Sequence, residues 1–249
     1  MHNYQAPSGL LNNRNILVTG AGDGIGRALA ISYAQLGATV ILLGRTQDKL
    51  IQVYDRIEHN GGPKPAILTL DLAHASSDHW TQVADQITNE FGCLHGLVHN
   101  AAVLGDITPL SQYEWGTWDH VMATNLRAVF MLTQSLIPVL RKADHASVIM
   151  TTSSVGRTPR AYWGAYGVSK AGIEAMCQMW SLEMRAISSI RFNCINPGPV
   201  RTMMRRHAYP AENAEQLRRP EEILGLYHYL MGDDSIGVTG QSLDAQPKS

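Results

Sequence analysis

Short, almost uninterrupted apolar segments alternate with longer segments of helical periodicity along most of the chain. A strand covered on both faces is apolar at successive positions, so these short segments are typical of a buried parallel sheet. The predicted strands are residues 15–19, 39–43, 66–70, 94–99, 147–152, 190–195 and 241–244. The predicted helices are residues 24–36, 47–60, 77–91, 112–142, 165–186 and 220–231.

Repeated alternation of strand and helix predicts right-handed crossover connections. The expected fold is therefore α/β, with one doubly wound parallel sheet of about seven strands and helices on both faces. The 249 residues contain no internal repeat, low-complexity tract or long polar linker, so we expect one domain over residues 1–249. Residues 202–220 interrupt the alternation, and we predict that they form a lid over the substrate.

The charge balance argues against nucleic acid as a partner. Lys plus Arg is 20 and Asp plus Glu is 21, giving a net charge of −1, and no basic cluster marks a surface that follows phosphates. No apolar run approaches the ~18 residues that span a bilayer. The N-terminal residues lack the layout of a signal peptide. We therefore expect a cytoplasmic protein without a membrane partner.

Neither a disulfide framework nor a metal site is predicted. The three cysteines, Cys93, Cys177 and Cys194, have no CxxC spacing and lie in apolar stretches. His95 and His99 share one strand face, but no acids or cysteines accompany them as ligands.

The first predicted strand leads directly into a glycine-rich turn, TGAGDGIG, at residues 19–26. Glycines let the backbone turn tightly and approach a pyrophosphate, and the free N–H groups at the start of the next helix attract an anion. The predicted cofactor contacts in this turn are Gly20, Asp23, Gly24, Ile25 and Gly26. Taken alone, the turn also fits a methyltransferase or a flavoprotein.

Five motifs in a fixed order extend this signal over nearly the whole chain. They are TGAGDGIG at 19–26, HNAA at 99–102, TNL at 124–126, Ser153 with YGVSK at 166–170, and NPGPVRT at 196–202. Together they resemble the motifs of short-chain dehydrogenases/reductases, which implies a Rossmann-type fold and an oxidoreductase. The segments SSVGR, WGAY and TGQSLDAQP are similar to the bacterial YciK-like members. Two positions depart from the family pattern, since His99 replaces an Asn and Ala102 replaces a Gly.

Tyr166 and Lys170 are four residues apart, so on a helix they share one face. A free tyrosine has a pKa of about 10, and a nearby ammonium should lower the pKa of Tyr166 toward the range useful for acid–base catalysis. The resemblance implies that Tyr166 exchanges a proton with the substrate oxygen and that Lys170 contacts the nicotinamide ribose. It also implies that Ser153 polarises the substrate oxygen, with Ser154 as a competing candidate, and that Asn125 holds a water in a proton relay.

The end of the second strand predicts the cofactor. Where NAD-selective members of the family place an acid, this chain has Gly44 followed by Arg45, and a guanidinium binds phosphate strongly. NADP(H) is therefore the expected cofactor, with a solvated Arg45 as the alternative. The further cofactor contacts implied by the resemblance are Asp71, Leu72, Asn100, Ala101, Tyr166, Lys170, Pro197, Gly198, Val200 and Thr202. Asp71 could instead cap the following helix.

The expected function is hydride transfer between NADP(H) and a carbonyl compound or secondary alcohol. The alternative is a cofactor-binding sensor of the same fold without turnover. Wide apolar surfaces on helices 112–142 and 165–186 predict a homodimer or homotetramer. In the lid, Arg205 and Arg206 suggest a substrate with an anionic group, although Glu212 and Glu215 offer these arginines surface partners instead.

Overall fold

A computed structural model describes residues 3–246. Its strands are β1 (Asn15–Thr19), β2 (Thr39–Gly44), β3 (Ala66–Thr69), β4 (Gly96–His99), β5 (Ala146–Thr151), β6 (Ile190–Asn196) and β7 (Ser242–Asp244). They form a seven-stranded sheet in the order β3-β2-β1-β4-β5-β6-β7, and every neighbouring pair is parallel. The predicted doubly wound parallel sheet is confirmed.

The helices that cover the sheet are α1 (Gly24–Gln35), α2 (Gln47–His59), α3 (Ser77–Phe91), α4 (Trp115–Met122), α5 (Ala128–Leu140), α6 (Ser154–Arg157), α7 (Gly164–Met184), α8 (Met203–Ala208) and α9 (Gly225–Met231). Short 3₁₀ turns span Leu110–Gln112, Ala214–Gln216, Pro220–Ile223 and Asp233–Ser235. Within the described residues, no helix is both long and apolar enough to cross a membrane.

Two apolar cores, one on each face of the sheet, explain why the strands are apolar throughout. Ile16 and Val18 of β1 lie in the core beneath α1, α2 and α9, whereas Leu17 between them lies in the core beneath α3, α5 and α7. All three side chains are fully buried. Because burying such a side chain contributes about 1.5–3 kcal/mol, the strands depend on helices packed against both faces.

The segment predicted as one helix over residues 112–142 is interrupted, so that prediction is wrong in its middle. The helix α4 ends at Met122, a π-helical turn spans Ala123–Arg127, and α5 begins at Ala128. In this turn the N–H of Ala128 donates to the carbonyl of Ala123, five residues back. The turn buries Asn125, whose amide bonds to the backbone of the loop after β4. Helical periodicity does not reveal such a tertiary contact.

The sheet changes its winding direction between β1 and β4. The strand β1 pairs with β2 on one side and with β4 on the other. The helix α1 that follows β1 packs on one face, while α5, which follows β4, packs on the opposite face. Loops that leave neighbouring strands toward opposite faces open a crevice at the carboxyl edge of the sheet, and ligands of such folds bind there.

A cluster of polar side chains around Arg157 fixes the end of α6 to the last strand. The Arg157 guanidinium donates to the Ser242 hydroxyl at 2.8 Å, to the Leu243 carbonyl at 3.1 Å and to Asp244 at 2.6 Å. It also pairs with Glu174 of α7 at 3.2 Å. These bonds hold α6, α7 and β7 together beside the carboxyl edge of the sheet.

Replacing Arg157 with Met should therefore destabilise the protein. The change leaves the carboxylates of Glu174 and Asp244 partly buried without this cation, which should cost about 2–4 kcal/mol of the free energy of unfolding. Urea titration followed by circular dichroism measures the effect. The matched control is Arg206→Met at an exposed position, which should change stability by less than about 0.5 kcal/mol. Equal unfolding midpoints for the two variants would contradict the role given to Arg157.

Candidate active site

A cavity of about 550 Å³ opens at the carboxyl edge of the sheet. Its walls come from the loops after six strands and from the segment 202–220. The sequence-predicted residues that line it are Gly20, Asp23, Gly24, Ile25, Arg45, Asp71, Leu72, Asn100, Ala101, Ser153, Tyr166, Lys170, Pro197, Gly198, Val200 and Thr202. Gly26 and Asn125 lie behind the wall. The structure thus brings most of the predicted site to one place.

The glycine turn leaves the backbone bare at the start of α1. Gly20 and Gly24 adopt positive φ angles of 66° and 50°, a region that side chains other than glycine rarely enter. A Cβ atom on Gly26 would overlap the carbonyl oxygen of Gly20, so only glycine allows this close packing. A backbone without side chains at a helix N-terminus fits the pyrophosphate of a dinucleotide.

Asp23 caps α1 at the centre of this turn. Its carboxylate accepts a hydrogen bond from the Gly24 N–H at 2.8 Å and forms an ion pair with Lys49 at 2.5 Å. The Lys49 ammonium is the main reason why the pKa of Asp23 is lowered. Lys49 lies four residues after Arg45 and lines the same cavity, so two cationic side chains face the end of β2.

Asp71 lies in the cavity wall beyond Arg45. Its carboxylate accepts a hydrogen bond from the Ala73 N–H at 3.0 Å and contacts His74 at 3.2 Å. Partial burial acts to raise the pKa of Asp71, but these bonds outweigh it and the pKa is lowered. The carboxylate therefore stabilises a turn, and α3 begins only at Ser77, so the alternative in which Asp71 caps the next helix is not what the structure has.

Tyr166 and Lys170 are both buried on α7 and share one face, as their spacing predicts. The Lys170 ammonium donates to the Thr151 carbonyl at 2.7 Å and lies 5.6 Å from the centre of the Tyr166 ring. Burial lowers the pKa of Lys170 to about 8. It raises the pKa of Tyr166 to about 12, although a hydrogen bond with Ser153 acts in the opposite direction. The expected lowering of the Tyr166 pKa by Lys170 is therefore wrong, because desolvation is the larger effect.

Ser153 follows β5, precedes α6 and lines the cavity together with Tyr166, whose pKa it acts to lower through side-chain hydrogen bonding. Ser154, the competing candidate, is exposed and lies outside the cavity wall. The geometry therefore favours Ser153 as the partner of Tyr166.

The side-chain amide of Asn125 forms hydrogen bonds with other parts of the protein. Its amide accepts from the Val103 N–H at 2.8 Å, donates to the Val103 carbonyl at 2.9 Å and reaches the Ser169 hydroxyl at 3.2 Å. These bonds connect the π-helical turn to the loop after β4 and to α7. Asn125 thus supports the wall beside Tyr166, and its side chain does not face the cavity. The sequence signal for it was an asparagine, a poor helix former, inside a predicted helix.

The two departures from the family motif have different consequences. His99 is buried and bonds to the Thr133 hydroxyl at 2.8 Å, and burial lowers its pKa to about 3, so it is neutral. Ala102 lines the cavity, so its methyl group takes up space at a position where the family has glycine. In the described residues, no group of three or more His, Cys, Asp or Glu side chains is placed to hold a metal ion.

The wall of the cavity also contains residues that the sequence did not predict. Trp163 immediately precedes α7, and its ring centre lies 5.7 Å from that of Tyr166. The hydroxyl of Thr152 is buried there and makes no hydrogen bond within the described part of the chain. Lys49 carried a readable signal, since it lies one helical turn beyond Arg45. Trp163 belongs to the WGAY segment, but its contact with Tyr209 joins segments far apart in sequence and could not be read from it.

Known proteins are similar to this chain over almost its whole length. A family model described as short chain dehydrogenase matches residues 14–213. The oxidoreductase YciK of Escherichia coli K12 is 49% identical over 247 residues, which cover 99% of this chain and 97% of that protein.

Two solved structures extend the similarity to three dimensions. A short chain dehydrogenase from Shigella flexneri 2a, complexed with NADP, superposes with a TM-score of 0.94 at 48% identity and covers 97% of this chain and 100% of that one. Another from Escherichia coli CFT073, complexed with NADPH, has the same TM-score, identity and coverage. The likeness therefore includes the cavity described above.

Proposed function

Because the chain belongs to the short-chain dehydrogenase family, we propose that it is an NADP(H)-dependent oxidoreductase that interconverts a carbonyl compound and a secondary alcohol. The observation that carries this proposal is that Tyr166 and Ser153 lie together in the cavity wall, with the buried Lys170 ammonium 5.6 Å from the centre of the Tyr166 ring. A sensor without turnover would have no use for a proton donor placed in this way. The expected location in the cytoplasm remains a prediction.

The cofactor would lie along the carboxyl edge of the sheet. Its pyrophosphate would lie against the glycine turn at the N-terminus of α1, and its adenosine would lie near Arg45 and Asp71. The two solved relatives complexed with NADP and NADPH support the choice of cofactor. When bound, it supplies or accepts the hydride.

The side chains of this protein would handle the proton. With its pKa raised to about 12, the Tyr166 hydroxyl stays protonated near neutral pH and can donate to the carbonyl oxygen as the carbonyl carbon accepts the hydride. The Ser153 hydroxyl would donate a hydrogen bond to the same oxygen. The Lys170 ammonium would stabilise the phenolate that Tyr166 becomes. In the oxidative direction each transfer is reversed, and Tyr166 accepts the alcohol proton.

We also propose that the protein forms a homodimer or homotetramer through α5 and α7. Phe130 on α5 and Met179 and Leu182 on α7 are large apolar side chains exposed to solvent. Exposed apolar side chains grouped on neighbouring helices are typical of protein–protein interfaces.

Tyr166→Phe tests the mechanism. The phenylalanine ring still packs but delivers no proton, so kcat should fall by about 10²–10⁴-fold, whereas the Kd for NADPH should change little. Steady-state NADPH oxidation and fluorescence titration give the two values. A variant that retains more than half of the wild-type kcat would show that the proposed acid is not Tyr166.

The pH dependence of carbonyl reduction tests the role of Lys170. Because burial lowers the pKa of Lys170 to about 8 and raises that of Tyr166 to about 12, the ammonium loses its proton first as pH rises. We expect kcat/KM for reduction to fall as pH increases through about 8. Lys170→Arg keeps the charge and should move this decline to higher pH, whereas His59→Gln, at the exposed end of α2 outside the cavity, should not. A flat wild-type profile between pH 7 and pH 10 would argue against this role.

Arg45→Ala tests the cofactor preference. A charge-assisted hydrogen bond to the 2′-phosphate contributes about 1.5–3 kcal/mol, so the wild type should favour NADPH over NADH by roughly tenfold to a hundredfold. The variant should lose affinity for NADPH and keep that for NADH. Arg56→Ala, an exposed arginine of α2 outside the cavity, is the control. Equal kcat/KM for the two cofactors in the wild type would remove this claim.

Light scattering after size exclusion tests the assembly. The wild type should have two or four times the mass of one chain, and the double variant Met179→Lys with Leu182→Glu should shift toward one chain. Leu110→Lys places a charge at another exposed apolar residue, outside α5 and α7, and should leave the mass unchanged. A monomeric wild type would refute the proposed assembly.

A further inference from the structure

An aromatic side chain of the cavity connects the proposed acid with the lid. The ring centre of Trp163 lies 5.7 Å from that of Tyr166 and 5.9 Å from that of Tyr209, which follows α8 in the lid. Trp163 itself lines the cavity. A flat indole surface therefore lies beside the place where a substrate oxygen would meet Tyr166.

The backbone around Trp163 holds the indole in place. Tyr162 adopts a φ angle of 73°, which is unusual for a residue other than glycine, and Gly164 has a φ angle of 28°. A Cβ atom on Gly164 would overlap the ring of Tyr113. Because a strained backbone residue costs about 1–3 kcal/mol, such a conformation persists only where surrounding contacts fix it. The contacts around Tyr162 and Gly164 thus fix the orientation of the Trp163 indole in the cavity wall.

Two arginines, Arg205 of the lid and Arg201 just before it, are already paired. The Arg205 guanidinium donates two hydrogen bonds of 2.6 Å to Glu212 and stacks on the Tyr209 ring at 3.8 Å. Arg201 donates to the Ala214 carbonyl at 2.8 Å and pairs with Glu215. These pairs leave the charges of Arg201 and Arg205 neutralised within the lid.

Two other cations of the region give an anionic substrate no better counterion. Arg206 is exposed and lies outside the cavity wall, and the Lys170 ammonium donates to the Thr151 carbonyl. Arg205 lines the cavity but is paired with Glu212, so the geometry does not favour the earlier expectation of an anionic group paired with Arg205 or Arg206. The apolar residues of the wall near the lid and the loop after β4 are Val103, Leu104, Met203, Met204 and Ala208.

We propose that the substrate is an uncharged carbonyl compound with a flat apolar body, an aromatic ketone or the corresponding alcohol, which stacks on Trp163. This inference rests on the proposed function, since it names the substrate class of the same site. An anionic group in this wall would lose its hydration and would compete with Glu212 for the guanidinium of Arg205, whereas a flat ring gains contact with the indole face.

The test is isothermal titration calorimetry on the full chain saturated with NADP, at pH 8. The ligands are acetophenone and 2-octanone, which share a carbon count but not a ring, and 4-acetylbenzamide and 4-acetylbenzoate, which share a ring but not a charge. We expect acetophenone to bind more tightly than 2-octanone, and the amide to bind at least about tenfold more tightly than the carboxylate.

Variants assign these differences to residues. Trp163→Leu should weaken acetophenone about three- to tenfold and change 2-octanone less, while Trp115→Leu, an exposed tryptophan outside the cavity, should change neither. Trp163→Phe keeps an aromatic face and should restore most of the affinity for acetophenone, even if Trp163→Leu folds poorly. Glu212→Gln removes the partner of Arg205 and should raise the affinity for 4-acetylbenzoate relative to the amide.

The possible results separate this inference from the proposed function. Tighter binding of the carboxylate than of the amide, or of 2-octanone than of acetophenone, overturns the inference, as does failure of all four compounds to bind. The same affinity for acetophenone in Trp163→Leu as in the wild type also overturns it. Binding in the expected order without NADPH oxidation by any of the ketones would instead refute the proposed function.

Discussion

The parallel pairing of β1 with both β2 and β4 is the constraint on which the candidate site depends. It places the loops after β1 and β4 side by side, and the buried hydroxyl of Thr19 continues the connection beyond the last strand pair. This hydroxyl accepts from the N–H groups of Asn100 and Ala101, each at 3.0 Å, and donates to the Val98 carbonyl at 3.3 Å. The glycine turn and the opposite wall of the cavity are therefore held in a fixed relation before any ligand binds.

Burial gives the proposed catalytic pair its chemical character. Tyr166 and Lys170 lie under the same loops, and removal from water disfavours the charged form of each, which raises the pKa of the phenol and lowers that of the amine. Near neutral pH the phenol keeps its proton, which is the state that carbonyl reduction needs. With a pKa of about 8, the amine of Lys170 is mostly protonated near neutral pH, and its charge can stabilise a phenolate. Asn125 contributes from behind by fixing the backbone of Val103 and the Ser169 hydroxyl.

The lid differs from the rest of the wall in how it is stabilised. The sheet and its helices are held by two continuous apolar cores, whereas α8 and the residues after it are held by the pairs Arg205–Glu212 and Arg201–Glu215 and by the contact of Tyr209 with Trp163. Exposed ion pairs contribute little to stability. The residues of α8 and of the segment after it thus belong to neither apolar core and are held over the cavity by polar and aromatic contacts.

The amino-acid sequence alone predicted a parallel sheet, the order of strands and helices along the chain and the glycine turn. It also predicted that Tyr166 and Lys170 share one face of a helix. Each of these is a local pattern of apolar residues, glycines or helical spacing, and such patterns are readable along one segment. Three features follow from the folded structure and could not be read from the sequence. The helices α4 and α5 are separated by a π-helical turn at Asn125, and desolvation has a larger effect on the pKa of Tyr166 than Lys170 has. Arg205 pairs with Glu212, next to the contact between Tyr209 and Trp163. Those outcomes depend on segments distant in sequence that compete for the same atoms, and on how much water the folded chain excludes.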